Sequence, residues 1–387
     1  MVERAMSLEG VRRANLGEVL RLVHHEGARS RAMLTAETGL NRSTVSDLVT
    51  ALAGAGLVEE RDPDPTRRVG RPSPIVAPSD DVVAIAVNPE VDALEVGAVA
   101  LGGRVRERVR EEAGGPAGVD EVAAAVARIV SGWRAGALHG ARIVGIGVAV
   151  PGLVRAADGM VRLAPHLGWR EADVAGRIED ATGLPVAVGN DASLGARAER
   201  LFGAARDHGD VVYLNGGPSG IGGGVVMQGV AMGGADGYAG EWGQSRPSIT
   251  EAADRRVPRG VLEDEVNRAR LLDAAGLGVA DDEALARALA ASADPAVAAE
   301  IARQRRVLAA TLANAVNVLN PSVIVLGGFL AILRAHDPEG LVAAVRAQAL
   351  AAPAERVEIR AAALGADRLL IGAAEAAFEP LLADPLG

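Results

Sequence analysis

Cysteine is absent from the 387 residues. No disulfide, thiol nucleophile or thiolate-held metal can be built from the chain, which suits a reducing compartment. Lysine is absent too: all 40 basic residues are arginine. Schiff-base chemistry and a Walker-type phosphate loop, both of which need lysine, are excluded. Aromatic residues number 3 Trp, 2 Tyr and 3 Phe, too few for a surface that stacks single-stranded nucleic acid or RNA bases. No stretch approaches about 18 uncharged apolar residues. The opening MVERAMSLEGVRRAN carries Glu and Arg where a signal peptide has an apolar core, so the expectation is a cytoplasmic protein with no membrane partner.

What is present points to a folded protein. The 48 glycines follow no period and 49% of residues are apolar, against collagen-like and disordered classes. The length predicts two or three domains. Residues 1–80 hold 11 arginines against 11 acids, leaving 29 against 39 in the rest, so the whole net charge of −10 falls on the larger part.

In the first part, Leu16, Val19, Leu20 and Val23 repeat at helical spacing. Ser30 is placed to cap a second helix, Arg31 to Thr38, and Gly39 to end it in a tight turn. A third helix follows, with Val45, Leu48, Val49 and Leu52 on one face and Arg42, Ser43, Thr44 and Ser46 at its donor-rich start. Leu57-Val58-Glu59-Glu60, a Pro/Asp turn and Arg67-Arg68-Val69-Gly70-Arg71-Pro72 then read as a two-stranded wing. That order is the winged helix-turn-helix, whose third helix enters the major groove of double-stranded DNA while a basic loop reaches the backbone or minor groove. The candidate DNA contacts are Arg42, Ser43, Thr44, Ser46, Arg67, Arg68 and Arg71. A helical dimerisation module is the plainer alternative, and the zero net charge is an objection to DNA binding. It is answered by acids that cluster at Glu59, Glu60, Asp62 and Asp64, apart from the third helix and from Arg67, Arg68 and Arg71.

From Asp80 the pattern turns to strands. Val82–Val87 and Ala93–Leu101 are apolar runs, Gly102-Gly103 marks a hairpin, and Val105–Val109 alternates with arginine. A helix from Val119 to Trp133 and a strand at Ile143–Val150 follow, and a similar succession recurs at Val211–Leu214, Gly220–Met227 and Val323–Leu326. This predicts a duplicated α/β domain with a cleft between its halves. Prolines 72, 74 and 78 mark the division, giving domains 1–76 and 77–387. Ala298–Leu319 reads as a long core helix.

Six motifs in order then carry a resemblance: Ile143–Leu153 (IVGIGVAVPGL), His166-Leu167-Gly168-Trp169, Val188–Ala192 (VGNDA), Gly220–Val226 (GIGGGVV), Gly237–Gln244 (GYAGEWGQ) and Asn320–Gly328 (NPSVIVLGG). Together they resemble the ROK family of bacterial repressors and sugar kinases over nearly the whole chain. The resemblance implies an actin-like or ribonuclease-H-like domain behind the winged helix. By matching, it implies sugar-hydroxyl binding by Asn190, Asp191, Glu241 and Glu263, with Asp191 the general base if phosphoryl transfer persists.

Three departures bear on that expectation. The family's phosphate-binding DxGxT is here Asn88-Pro89-Glu90, without the metal-anchoring acid and with a carboxylate that repels a triphosphate. The second phosphate loop, Leu214 to Gly222, contains Pro218, which removes a backbone donor. The family's structural zinc uses a histidine and three cysteines; here the histidine is Gln244 and Ser245–Glu263 has neither residue type, so the zinc site is predicted absent and no cofactor is expected. Gln244 and His166, each at a position where the family places another residue, join the candidate sugar contacts.

The reading is a DNA-binding transcriptional regulator of carbohydrate metabolism, a repressor, modulated by a sugar or sugar derivative and acting as a homodimer or homotetramer on a two-fold operator. The alternatives are an ATP-dependent sugar kinase with an appended DNA-binding domain, and a protein-docking platform.

Overall fold

The computed structural model describes residues 8–61, 74–278 and 280–387. The chain opens with α1 (Leu8–Glu26), the short strand β1 (Arg29–Ser30), α2 (Arg31–Thr38), α3 (Arg42–Gly54), β2 (Val58–Arg61) and β3 (Ile75–Pro78). Leu16, Val19, Leu20 and Val23 are buried on one face of α1, as their spacing requires. Ser30 caps α2 by accepting the Met33 amide, and Gly39 ends it at φ 69°. Asn41, not foreseen, caps α3 by accepting the Thr44 amide. β2 and β3 pair antiparallel from Val58↔Pro78 to Arg61↔Ile75, and β1 takes the other edge of β3. Arg67, Arg68 and Arg71 lie outside the described residues.

Next come β4 (Val82–Pro89), β5 (Ala93–Ala100), β6 (Val105–Glu112), α4 (Val119–Ala135), β7 (Arg142–Val150), β8 (Leu153–Val154), β9 (Val161–Ala164), β10 (Trp169–Ala172), α5 (Val174–Thr182) and β11 (Val186–Asn190). The chain continues through α6 (Asp191–Phe202), β12 (Val211–Gly217), β13 (Gly220–Met227), β14 (Val230–Ala231), α7 (Leu262–Glu265), α8 (Arg268–Ala274), α9 (Asp282–Ala291) and α10 (Pro295–Leu319). It closes with β15 (Val323–Gly328), α11 (Phe329–Ala335), α12 (Pro338–Gln348), α13 (Ala351–Ala354), β16 (Glu358–Ala361) and α14 (Arg368–Ala383).

The chain divides into two compact units: one takes the chain up to Val150, Gly159–Gly189 and Ala373–Gly387, the other Pro151–Asp158 and Asn190–Gly372. The duplication expected from sequence is visible in their sheets. The first runs β11-β7-β4-β5-β6 and the second β14-β13-β12-β15-β16. In each, an antiparallel meander is extended by a strand parallel to one of its own: β7 beside β4, and β15 beside β12. The apolar runs at β4 and β5 are buried throughout, whereas exposed positions alternate along the second half of β6 at Arg108, Arg110 and Glu112. Gly147 of β7 lets α14 approach, since a Cβ there would stand 1.7 Å from the Ala373 carbonyl oxygen. In the second unit Leu308, Leu312 and Val316 of α10 are fully buried, as core residues. Among the described residues no helix is long and apolar enough to cross a membrane.

Candidate functional site

The second unit gathers five of the residues singled out from sequence. Asn190 and Asp191 stand where β11 gives way to α6. Asn190 is the N-cap: its side-chain oxygen accepts the Ser193 amide at 2.9 Å, and its Nδ2 donates to the Gly152 carbonyl at 3.0 Å and to Asp191 Oδ1 at 3.2 Å. Oδ1 of Asp191 also accepts the Ala192 amide at 2.8 Å. Burial pushes the Asp191 carboxyl up to about 6; the Ala192 amide and the Arg368 charge oppose the rise and the Glu241 charge adds to it.

Glu241 precedes a single 3-10 turn, Trp242–Gln244. Its carboxyl is held above the ordinary range, first by desolvation and then by the charge of Glu263. Glu263, on α7, is seated by backbone and amide donors: the Ile221 N–H reaches Oε2 at 3.2 Å and Gln244 Nε2 reaches Oε1 at 2.6 Å. The seat requires glycine. At Gly243 a Cβ would stand 2.3 Å from the Ile221 carbonyl oxygen and 2.6 Å from Glu263 Oε2, and Gly220 combines φ 135° with a Cβ position 2.5 Å from the same oxygen. The outcome is a chain of carboxylates in which the charge of Glu263 raises Glu241 and the charge of Glu241 raises Asp191. Acceptor-rich groups of this kind bind vicinal hydroxyls, each of which donates a hydrogen bond and thereby offsets the repulsion.

His166 belongs to the first unit, exposed on the 3-10 turn Pro165–Leu167. Among the proposed DNA contacts, Arg42 and Ser43 are exposed on the first turn of α3, and Ser43 donates to the capping Asn41 at 2.6 Å. Ser46 faces a partner that sequence reasoning missed. Arg31 of α2 donates to Ser46 Oγ at 2.8 Å and grips Glu60 through both carboxylate oxygens at 2.6 and 2.7 Å. Glu60 is therefore not apart from the third helix; Arg31 links it to Ser46 and matches its charge.

Two family-specific segments also show their local chemistry. At the end of β4, Asn88 Nδ2 donates to Glu90 Oε1 at 2.9 Å and Arg110 of β6 donates to Oε2 at 2.6 Å, so the turn after β4 is closed on itself by an amide, a carboxylate and a guanidinium. The segment 245–263 does not fit a zinc ion. It offers no thiolate or imidazole, Asp254 is taken by Arg306 at 2.8 and 2.6 Å, and Glu263 by Gln244. Elsewhere His24, His25 and Glu375 group three metal-ligating side chains. There His24 Nδ1 accepts the Gly102 amide at 2.7 Å, so its proton sits on Nε2 and is given to Glu375 at 2.6 Å. That tautomer makes a hydrogen-bonded joint, and a metal at Nε2 would have to displace its proton.

A sequence model of the ROK family matches residues 92–379. A putative xylose repressor from Caldicellulosiruptor sp. (strain Rt8B.4) is 32% identical over 200 residues, 48% of this chain and 50% of that protein. A glucokinase from Halalkalibacterium halodurans is 30% identical over 253 residues, 59% of this chain and 74% of that protein. The chain thus spans about half the length of the repressor it matches. A solved ROK family transcriptional regulator, a homologue of the E. coli MLC protein, superposes with a TM-score of 0.76 at 24% identity, covering 97% of this chain and 98% of that one. At that identity the likeness carries the fold.

Proposed function

The chain belongs to the ROK family, and from that premise we propose that it is a cytoplasmic DNA-binding repressor whose operator affinity is set by a sugar or sugar derivative. Residues 1–76 form the DNA-binding domain and 77–387 the effector-binding and oligomerisation domain, in a homodimer or homotetramer. Asp191, Glu241, Glu263 and Gln244 accept and orient the sugar hydroxyls, with Asn190 holding Asp191 in place and His166 a further contact. α3 enters the major groove with Arg42, Ser43 and Thr44 foremost and Ser46 behind them; Arg67, Arg68 and Arg71 reach the backbone or minor groove.

One observation carries the reading: a single chain joins three helices, the second and third capped by Ser30 and Asn41, and a three-stranded antiparallel sheet to a carboxylate cluster suited to hydroxyls, while the turn that would take phosphate is closed by Glu90 and Arg110. Sugar binding needs the cluster alone, whereas phosphoryl transfer needs the turn as well. The test is thermal unfolding of the full chain against a panel of sugars, each with and without Mg-ATP. A sugar at 100 times its Kd stabilises by about 2.7 kcal/mol. A shift with a sugar and none with Mg-ATP supports the repressor; silence with every sugar removes it.

A sugar kinase is the second reading. It is favoured by the Asp191 carboxyl, whose value near 6 suits a general base, and by the likeness to a glucokinase. Sugar-dependent ATP turnover that Asp191→Asn abolishes would establish it in place of the first.

A further inference from the structure

The loop between the 3-10 turn at Gln244 and α7 must be held firmly if Glu263 is to stay in its seat, and it has no cysteine or histidine with which to hold a zinc ion. We propose that Arg303 of α10 is the positioning residue of the carboxylate cluster, a buried guanidinium that takes the place of the family's zinc. Its side chain is 2% exposed. Every one of its five N–H donors has an acceptor. Nε reaches Glu300 Oε2 at 2.9 Å; Nη1 reaches the Asp254 carbonyl at 2.8 Å and Glu265 Oε2 at 3.3 Å; Nη2 reaches the Glu265 carbonyl at 2.6 Å and Glu300 Oε1 at 2.7 Å.

The partner is as fully used as the arginine. Glu265, with no exposed side-chain surface, also accepts the Arg256 amide at 2.9 Å and the Val257 amide at 3.0 Å. Two further straps from the same stretch of α10 secure the loop: Arg306 holds Asp254 by both oxygens, and Gln304 exchanges hydrogen bonds with the Asn267 backbone at 3.1 and 3.0 Å. α10 therefore grips the chain at 254, 265 and 267, and through Glu265 it steadies the backbone at 256 and 257. Glu263 lies two residues from Glu265 on the same four-residue helix, so the guanidinium that fixes Glu265 fixes where Glu263 meets Gln244 and Ile221. A tetrahedral zinc would tie such a loop through four ligands; here a planar fork ties it through five hydrogen bonds. Lysine, a point charge with three donors, cannot reproduce the fork.

The ligand part of this proposal rests on the sugar-binding reading; the clamp itself does not, and the experiment separates them. Hydrogen exchange is measured on the full chain and on Arg303→Lys, Arg303→Met and Glu265→Gln, each with EDTA and with added zinc. In the unaltered protein the amides of Arg256 and Val257 exchange slowly, with EDTA and zinc changing nothing. The Arg303 variants exchange about tenfold faster across 254–267 while β12 and β15 stay protected, which distinguishes local release from global unfolding. Glu265→Gln keeps the side chain's shape and serves if the Arg303 variants fail to fold. In parallel, the Kd for D-xylose or D-glucose, whichever binds the unaltered protein, rises about tenfold in Arg303→Lys although every sugar contact is retained. EDTA-accelerated exchange, or a loop unaffected by Arg303→Met, overturns the clamp. A loosened loop with unchanged sugar affinity overturns the positioning role. Failure of both sugars to bind the unaltered protein counts against the sugar-binding reading and leaves the clamp to the exchange data.

Discussion

Replacing Asp191 by Asn removes a charge and keeps the oxygen that accepts the Ala192 amide and the Asn190 Nδ2. Burial raises the folded carboxyl from 3.8 to about 6, so above that range the folded protein carries a charge the unfolded chain holds more comfortably. The sign follows from linkage: between the two values the folded state binds more protons than the unfolded state, and stability falls as pH rises through the window. A shift of this size costs the protein about 3 kcal/mol at pH 7.5 and about 1 kcal/mol at pH 4.5. Asp191→Asn is therefore expected to be more stable than the unaltered protein by about 3 kcal/mol at pH 7.5, with the gap narrowing to about 1 at pH 4.5. The stabilised variant is expected to lose its response to sugar, the trade found where a binding site is built from destabilised groups. Urea unfolding of the two proteins at both pH values reads the gap, and because all other carboxyls titrate in both, their effects cancel. A gap that does not change with pH, or an Asn variant less stable at pH 7.5, refutes the reasoning.

Gly243→Ala drives a Cβ against the Ile221 carbonyl and Glu263, so a loss of about 1–3 kcal/mol in urea unfolding and a weaker sugar-induced thermal shift are expected. Gly147→Ala collides with backbone at Ala373 and is expected to cost at least as much, read as soluble yield and thermal midpoint. Arg31→Ala frees Glu60 and unties Ser46; filter binding should show weaker operator affinity with an unchanged sugar-induced thermal shift. His24→Ala leaves the buried Glu375 short of a partner and the Gly102 amide without an acceptor, a loss of about 3–5 kcal/mol at pH 7. The histidine partners hold the Glu375 carboxyl well below the ordinary range, so its contribution is present above pH 4.5 and fades as pH falls; the difference between the two proteins should shrink in acid unfolding.

The local features of the fold were legible because their causes are local. Ser30 and Gly39 bound α2, paired glycines at 102 and 103 with positive φ turn β5 into β6, and apolar runs placed the central strands. Some legible signals went unread: Asp294 followed by Pro295 marks the true start of α10, three residues before the apolar pattern suggested one. Asn41 before α3 is a cap of the same kind. What sequence did not disclose depends on chain path. Arg31 meets Glu60 across 29 positions, and Arg303 meets Glu265 across 38. Nothing in the neighbourhood of Arg303 marks it as buried, since arginine at helical spacing among alanines reads as a solvated face. The absence of cysteine excludes a thiolate-held ion, but which side chains hold the loop 254–267 depends on packing. Asn190, Asp191, Glu241 and Glu263 are readable from motifs, and all four lie in the second unit; the donation of Gln244 to Glu263 follows only from the geometry.

The central claim is a coupling between sugar and DNA, and it is tested most directly by titrating the protein onto a genomic DNA fragment it has itself selected, with and without D-xylose or D-glucose and with and without Mg-ATP. A coupling of about 1–3 kcal/mol predicts a Kd for DNA that changes about 5–150-fold with a sugar and not further with Mg-ATP. A DNA affinity indifferent to sugar, accompanied by sugar-dependent consumption of ATP, would contradict the account.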